Sequence, residues 1–299
     1  MKFSFDSFQE WKEFVSSENT SLFSAVVQYE VYQKGTSEQA ILEGLQATWN
    51  TMKKAVETGL TDDMTSRSGM INNGGKKVKK NPISVLSDPF KDLIANALAA
   101  KELNSCMGRV VAAPTAGASG IIPGVLSTIQ QQHSIDDKKV IEGLLISAGI
   151  GLIIEKKAAL AGAVGGCQAE TGSAAAMASG AIVHLLGGTT DQVFNAVAIT
   201  IQCMLGLVCD PVAGLVEVPC VVRNASAAAI ACSSAQIALS DVDAVIPVDE
   251  CVEAMGEVGQ SMETRYKETA EGGLAATKTG RAISKRVLIK DIDIIDEGG

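Results

Sequence analysis

Aromatic residues make up only 4% of this 299-residue chain, and histidine occurs twice. With so few rings and 46% apolar residues, rich in Ala and Gly, the core is expected to be tightly packed helices meeting through small side chains. Basic charge is short as well. Lys and Arg number 25 against 34 Asp and Glu, a formal net charge of −9, which argues against a nucleic-acid surface. The one basic cluster, Lys76-Lys77-Val78-Lys79-Lys80, reads as a solvated loop. Long apolar runs are missing: 143–154 is short and 193–209 is interrupted by Asn195 and Gln202. Both fall below the roughly 20 residues a spanning helix needs, so no membrane association is expected. The N-terminal residues contain no apolar signal core, which points to a cytoplasmic protein. Seven cysteines in a reducing compartment favour metal ligands or free thiols over disulfides.

The pattern along the chain gives a mainly α fold: one large helical catalytic domain with buried Ala/Gly-rich helices. Residues 7–58 carry Trp11, Phe14, Leu22, Val26, Val27 and Tyr29 on a rough apolar face at helical spacing. They are expected to form an N-terminal helical segment (1–60) of the same domain. A Thr/Ser/Asn/Gly/Lys-rich loop over 61–84 opens the catalytic part, 61–280. Helices follow over 87–109, from Ile121, over 136–164, 172–187, 190–208 and 222–239, and from Asp249 to Met262. Between 158 and 216 the charged residues are Glu170, Asp191 and Asp210 alone, so this stretch is expected to be the central hub. A charged tail, 281–299, ends the chain, and its alternation over 287–294 resembles a short strand.

Three cysteines differ from the rest by their setting. Cys167 follows Gly165-Gly166, Cys209 precedes Asp210-Pro211 and Cys220 follows Val218-Pro219, so these thiols are offered from turns or helix ends. Cys106, Cys203, Cys232 and Cys251 lie in helical sequence and read as small core hydrophobes. The paired short spacing of a structural zinc site is absent, and so is the tight local spacing of a ferredoxin. His184 reads as a core residue and His133 as surface. Three separated thiolates suit a metal centre with one position open to substrate, where a Lewis-acidic iron polarises a leaving hydroxyl.

Two glycine loops add candidate binding groups. Thr115-Ala116-Gly117-Ala118-Ser119-Gly120 precedes a helix start and offers Thr115, Gly117, Ser119 and Gly120 as an anion cradle. An ordinary loop and cap is the competing reading. Ser66-Arg67-Ser68-Gly69 sets Arg67 between two hydroxyls, where it can grip a carboxylate through both nitrogens. A surface turn is the alternative there.

Taken together, Gly166-Cys167-Gln168-Ala169-Glu170, the run from Cys209 to Cys220, Ser66-Arg67-Ser68-Gly69 and Gly272-Gly273-Leu274-Ala275 resemble the alpha chain of the iron–sulfur L-serine dehydratases, over about residues 60–280. The resemblance implies a [4Fe–4S] cluster on Cys167, Cys209 and Cys220, deamination of L-serine to pyruvate and ammonia, and a separate beta chain as partner. In the mechanism this suggests, the substrate carboxylate is expected on the Gly117–Gly120 loop with Arg67 assisting. Asp210, next to a ligand, is the first candidate for the general base, ahead of Glu170 and Arg223. Some single-chain relatives place a C-terminal Cys on the free iron at rest, and this chain has no Cys after Cys251. Cysteine desulfidation at the same iron, a pyridoxal-phosphate lyase and a non-catalytic helical assembly subunit are the rival readings.

Overall fold

The computed structural model of the chain describes residues 5–296. Thirteen α-helices run through them: α1 (Phe8–Ser17), α2 (Leu22–Lys34), α3 (Glu38–Thr61), α4 (Gly74–Lys80), α5 (Asp88–Ser105), α6 (Ile121–His133), α7 (Asp137–Lys157), α8 (Gly162–Gly165), α9 (Ser173–Leu185), α10 (Thr190–Met204), α11 (Cys220–Leu239), α12 (Val248–Ser261) and α13 (Lys278–Asp296). Among the described residues there is no β-strand, only two isolated bridges, Thr65 with Asn72 and Cys209 with Lys267. The fold is mainly α, as the sequence implies.

Local chemistry sets the helix starts. Ser7, Ser21, Ser37 and Asp136 each accept a hydrogen bond from a first-turn N–H, and Thr189 with Gln192 forms a reciprocal capping box. Two expectations need correction. Lys76 to Lys80 form most of α4 rather than a loop, because Glu102 of α5 accepts the N–H groups of Gly74 (2.6 Å) and Gly75 (2.9 Å) and so caps that helix from outside. The 287–294 segment, which alternates like a strand, lies in α13. No neighbouring strand edge exists among the described residues to pair with it. The final three residues of the tail fall outside the described range.

Helix α9 is the hub. Every residue of Ser173–Leu185 except His184 is buried, and the helix packs on α6, α7, α10 and α11. Phe8, Trp11, Trp49 and Met52 from the N-terminal helices join the same apolar cluster, so α1 to α3 share one core with the rest. Close approach in this core depends on side chains being absent. A Cβ on Gly59 of α3 would fall 2.2 Å from the Ala99 carbonyl oxygen of α5, and one on Gly124 of α6 would fall 2.6 Å from the Ala97 nitrogen. Helix α5 is therefore held from two sides at backbone contact.

Gly59→Ala should accordingly force α3 off α5 and cost about 1–3 kcal/mol, the range for overpacked cores. Thermal unfolding of the variant against the native chain is the check, and an unchanged Tm would contradict this packing.

Candidate metal centre

The three singled-out thiols all sit where helices break. Gly166 adopts φ +76°, ψ −177°, and a Cβ there would meet Met262 Sδ at 2.7 Å. Cys167 then leads into a single π-turn, Gln168–Gly172, that runs straight into α9. Gln168 is fully buried and clamps this turn: its Nε2 donates to Met255 O (2.9 Å) and its Oε1 accepts from Gly206 N (2.8 Å). The Cys167 sulfur lies 2.9 Å from Thr171 Oγ1. Cys209 is fixed by its backbone, its N–H donating to Tyr266 O (2.8 Å) and its carbonyl accepting from Glu268 N (2.9 Å). Cys220 is the first residue of α11 and follows the cis peptide Val218–Pro219.

All three thiols are buried, with exposures of 3%, 3% and 9%. Burial raises the pKa of each above the ordinary thiol value, to about 12 for Cys220. Cys167 raises Cys209 and Cys220 further by repulsion between thiolates, so the sulfurs share one electrostatic neighbourhood. They are not packed as ligands of a single ion, however. Thiolates around one tetrahedral zinc stand within roughly 4 Å of each other. Among the described residues, the one group of three or more His, Cys, Asp or Glu donors within a mutual 4.8 Å is Glu170, Cys209 and Glu268. Cys167, Cys209 and Cys220 do not together form such a group.

Carboxylates and one buried cation surround the thiols. Glu170 is held above the usual carboxylate range, chiefly by burial. Gly162 keeps its contact free of side chain: a Cβ would meet Glu170 Oε2 at 3.0 Å and Cys209 Sγ at 3.1 Å. Asp210 is 2% exposed. Its Oδ2 accepts from Leu274 N at 2.7 Å, and its Oδ1 lies 2.8 Å from Arg223 Nη1, an ion-pair contact rather than an aligned hydrogen bond. The Gly272–Ala275 motif owes its glycine to this pairing, since a Cβ on Gly273 would fall 2.3 Å from Asp210 Oδ2. Lys101 has no exposed surface; burial lowers its pKa to about 8, with Cys220, Glu170 and Glu217 pulling the other way.

The two glycine loops reach this region, but their polar groups are engaged differently from the sequence expectation. Ser66 Oγ donates to Glu217 Oε2 (2.7 Å), and Ser68 Oγ bonds to the same oxygen. The serine hydroxyls thus hold a carboxylate of the protein itself. Arg67 is exposed and lines a 470 Å³ cavity together with Ser68, Asn104, Ala116, Glu217 and Val287. In the second loop the N–H groups of Ala118, Ser119 and Gly120 go to Thr115 O, Ala116 O and Asn224 Oδ1, so these three do not form the expected cradle. Gly117 faces Glu170, at 3.1 Å from a Cβ position to Oε2, and Ser119 is buried with no partner for its hydroxyl. Asn224, fully buried, ties this loop to Cys220 by donating to Gly117 O (2.8 Å) and Cys220 O (2.9 Å). A second cavity, of 490 Å³, opens around Cys232 between α5, α6, α9 and α11 and contains no residue proposed for the site.

Sequence reading missed Lys101, Glu217, Asn224 and Glu268. Glu217 and Asn224 lie in or just beyond the Cys209–Cys220 run and were open to detection by that neighbourhood. Lys101 gave no signal, because its helix looks like any other.

The fold is helical, with buried thiols and carboxylates at its helix breaks and one group, Glu170, Cys209 and Glu268, that could hold a metal ion, and comparison with known proteins gives its family. The family model described as serine dehydratase alpha chain matches residues 17–275, and this chain belongs to that family. It is 42% identical over 275 residues to the L-serine dehydratase alpha chain of Peptoniphilus asaccharolyticus, covering 91% of this chain and 94% of that one. To the probable L-serine dehydratase alpha chain of Bacillus subtilis (strain 168) it is 41% identical over 281 residues, covering 91% and 92%. Against the L-serine dehydratase of Streptomyces coelicolor it is 38% identical over 268 residues, covering 86% of this chain and 58% of that longer protein.

In metal-free folded protein at pH 8, Cys203, which is exposed, should be the first thiol alkylated. Cys209, Cys220 and Cys232 should stay silent until the chain is unfolded. Their raised pKa values leave less thiolate at that pH than a free thiol carries, and thiolate is the reacting species. Mass-spectrometric mapping of labelled cysteines checks the order, and equal rates at Cys203 and Cys220 would contradict it.

Proposed function

We propose that this chain is the alpha subunit of an L-serine dehydratase that converts L-serine to pyruvate and ammonia, with a [4Fe–4S] cluster on Cys167, Cys209 and Cys220. The observation that carries the reading is the setting of the thiols: three buried sulfurs, presented from separate helix breaks, that act on one another electrostatically. Three thiolates on a four-iron cluster leave one iron without a protein thiolate. When bound, the cluster supplies a Lewis-acidic iron that makes the substrate β-hydroxyl a better leaving group.

The chain's own residues do the rest. Arg67 binds the substrate carboxylate at the cavity it shares with Ala116, and Thr115, Gly117 and Ser119 belong to the loop whose Gly117 faces Glu170. Ser66 and Ser68 serve by holding Glu217, and Gly120 by its bond to Asn224. Asp210, adjacent to a ligand, is committed to Arg223 and Leu274, which favours a role in fixing Cys209 over proton removal. Glu170 is the better placed base, since its carboxylate stands against the Cys209 sulfur with no arginine pairing it. A beta chain completes the enzyme in the cytoplasm, in keeping with the alpha-chain relatives. No helix among the described residues is long and apolar enough to cross a membrane.

Anaerobically purified protein, with its beta chain, should contain about four iron and four sulfide per active site and form pyruvate from L-serine. Cys167→Ala, Cys209→Ala and Cys220→Ala should each lose the cluster, whereas Cys232→Ala should keep it. An iron-free preparation with full activity would overturn the reading.

Glu170→Gln should keep its iron and lower kcat by about 10²–10⁴-fold, the usual worth of a general base. Equal kcat in the variant would remove Glu170 from that role.

A further inference from the structure

Lys101 is the only buried lysine among the described residues, and none of the proposed chemistry uses it. It sits on α5, which packs against α11, the helix that Cys220 opens. Its ammonium donates to Asn104 Oδ1 (2.7 Å) and to Val216 O (2.9 Å), both neutral acceptors. Val216 lies in the run that links Cys209 to Cys220, so the second bond pins that run. Ser105 Oγ donates to the same carbonyl at 3.3 Å, so hydrogen bonding alone does not require a lysine here. A buried ammonium is costly unless negative groups face it. Its Cβ lies 2.9 Å from the Cβ position of Gly120, whose N–H is held by Asn224, the side chain that donates to Cys220 O at 2.9 Å, and the negative groups that act on it are Cys220, Glu170 and Glu217.

We propose that Lys101 is the buried counter-charge of the metal cluster, a positioning residue that anchors Val216 and sets how readily the cluster accepts an electron. This rests on the cofactor reading above but not on which substrate is turned over. A positive charge near an iron–sulfur centre stabilises its more reduced state, because net charge around the cluster is one determinant of its potential. Removing that charge should therefore make the cluster harder to reduce and easier to oxidise. A merely structural lysine would not move the potential once the fold was intact.

Two substitutions separate charge from hydrogen bonding. Lys101→Gln keeps an amide donor and loses the charge, while Lys101→Met loses both at similar length. Each variant is reconstituted anaerobically as the full enzyme and titrated electrochemically, with the reduced cluster followed by electron paramagnetic resonance. Both should take up iron and show a midpoint shifted to more negative potential by a tenfold change in the one-electron equilibrium or more, about 59 mV. Both should also bleach faster in air. Lys156→Met, which removes a lysine bonded at the surface to Asp6 and Phe5 O, should titrate with the native protein. If the methionine variant fails to fold, the glutamine variant carries the test. A glutamine variant with the native midpoint overturns the proposal, as does failure of both variants to take up iron. A native protein that forms no cluster overturns the cofactor reading and this inference together. A native protein that forms the cluster without dehydrating serine overturns only the activity, and the midpoints still decide the role of Lys101.

Discussion

Charge cannot stay in a dry protein interior without a partner, and that constraint organises the region around the thiols. Between Cys209 and Asn224 the chain buries Asp210, Glu217 and Asn224 and half-buries Arg223. Each is tied to a different part of the molecule. Asp210 reaches Leu274 near the start of α13, and Glu217 reaches the Ser66–Ser68 turn before α4. Asn224 reaches the Gly117–Gly120 loop before α6, and Lys101 of α5 reaches back to Val216. The positions of Cys209 and Cys220 are thus set by four distant segments at once. Removing one member leaves its partner buried and unpaired, so these bonds act as a set rather than as additive pairs.

This also explains why the glycine loops look like ligand cradles in sequence. Small residues, hydroxyls and an arginine in a turn are what an anion site needs, and the same residues equally suit a turn that must press against a buried carboxylate. In the structure the anion held by Ser66 and Ser68 is Glu217, and the amide held by Gly120 is Asn224. Arg67 is exposed and lines the cavity beside them.

The parts of this architecture that depend on local pattern were legible in the sequence. The hub helix α9 was marked by its lack of charge, and the three special cysteines by flanking Gly and Pro. What was not legible depends on contacts remote in sequence. Helix α4 forms where Glu102 caps it from another element, so Lys76–Lys80 alone read as a loop. The strand-like alternation in α13 carried no information about whether a second strand existed to meet it. Lys101 lies more than 100 residues from Val216, and only the fold joins them.

The π-turn at Gln168–Gly172 shows how a local irregularity and the global hub meet. A regular helix entering α9 would continue its all-buried apolar surface through Cys167, leaving no place for polar groups. The wider turn sets Cys167 and Thr171 in contact at 2.9 Å and brings Glu170 to the Cys209 sulfur, while Gln168 points inward to lock α10 and α12. Polar residues needed beside the thiols are thereby gathered on one side of five residues, and the apolar helix begins immediately after. Because α9 packs on four other helices, any strain that shifts it moves the Cys167 thiol directly. The small-residue core, with Gly59 and Gly124 at backbone contact with α5, is what keeps that shift small. The scarcity of aromatics and the placement of the thiols are in this sense one design: close-packed helices hold still, and their breaks carry the chemistry.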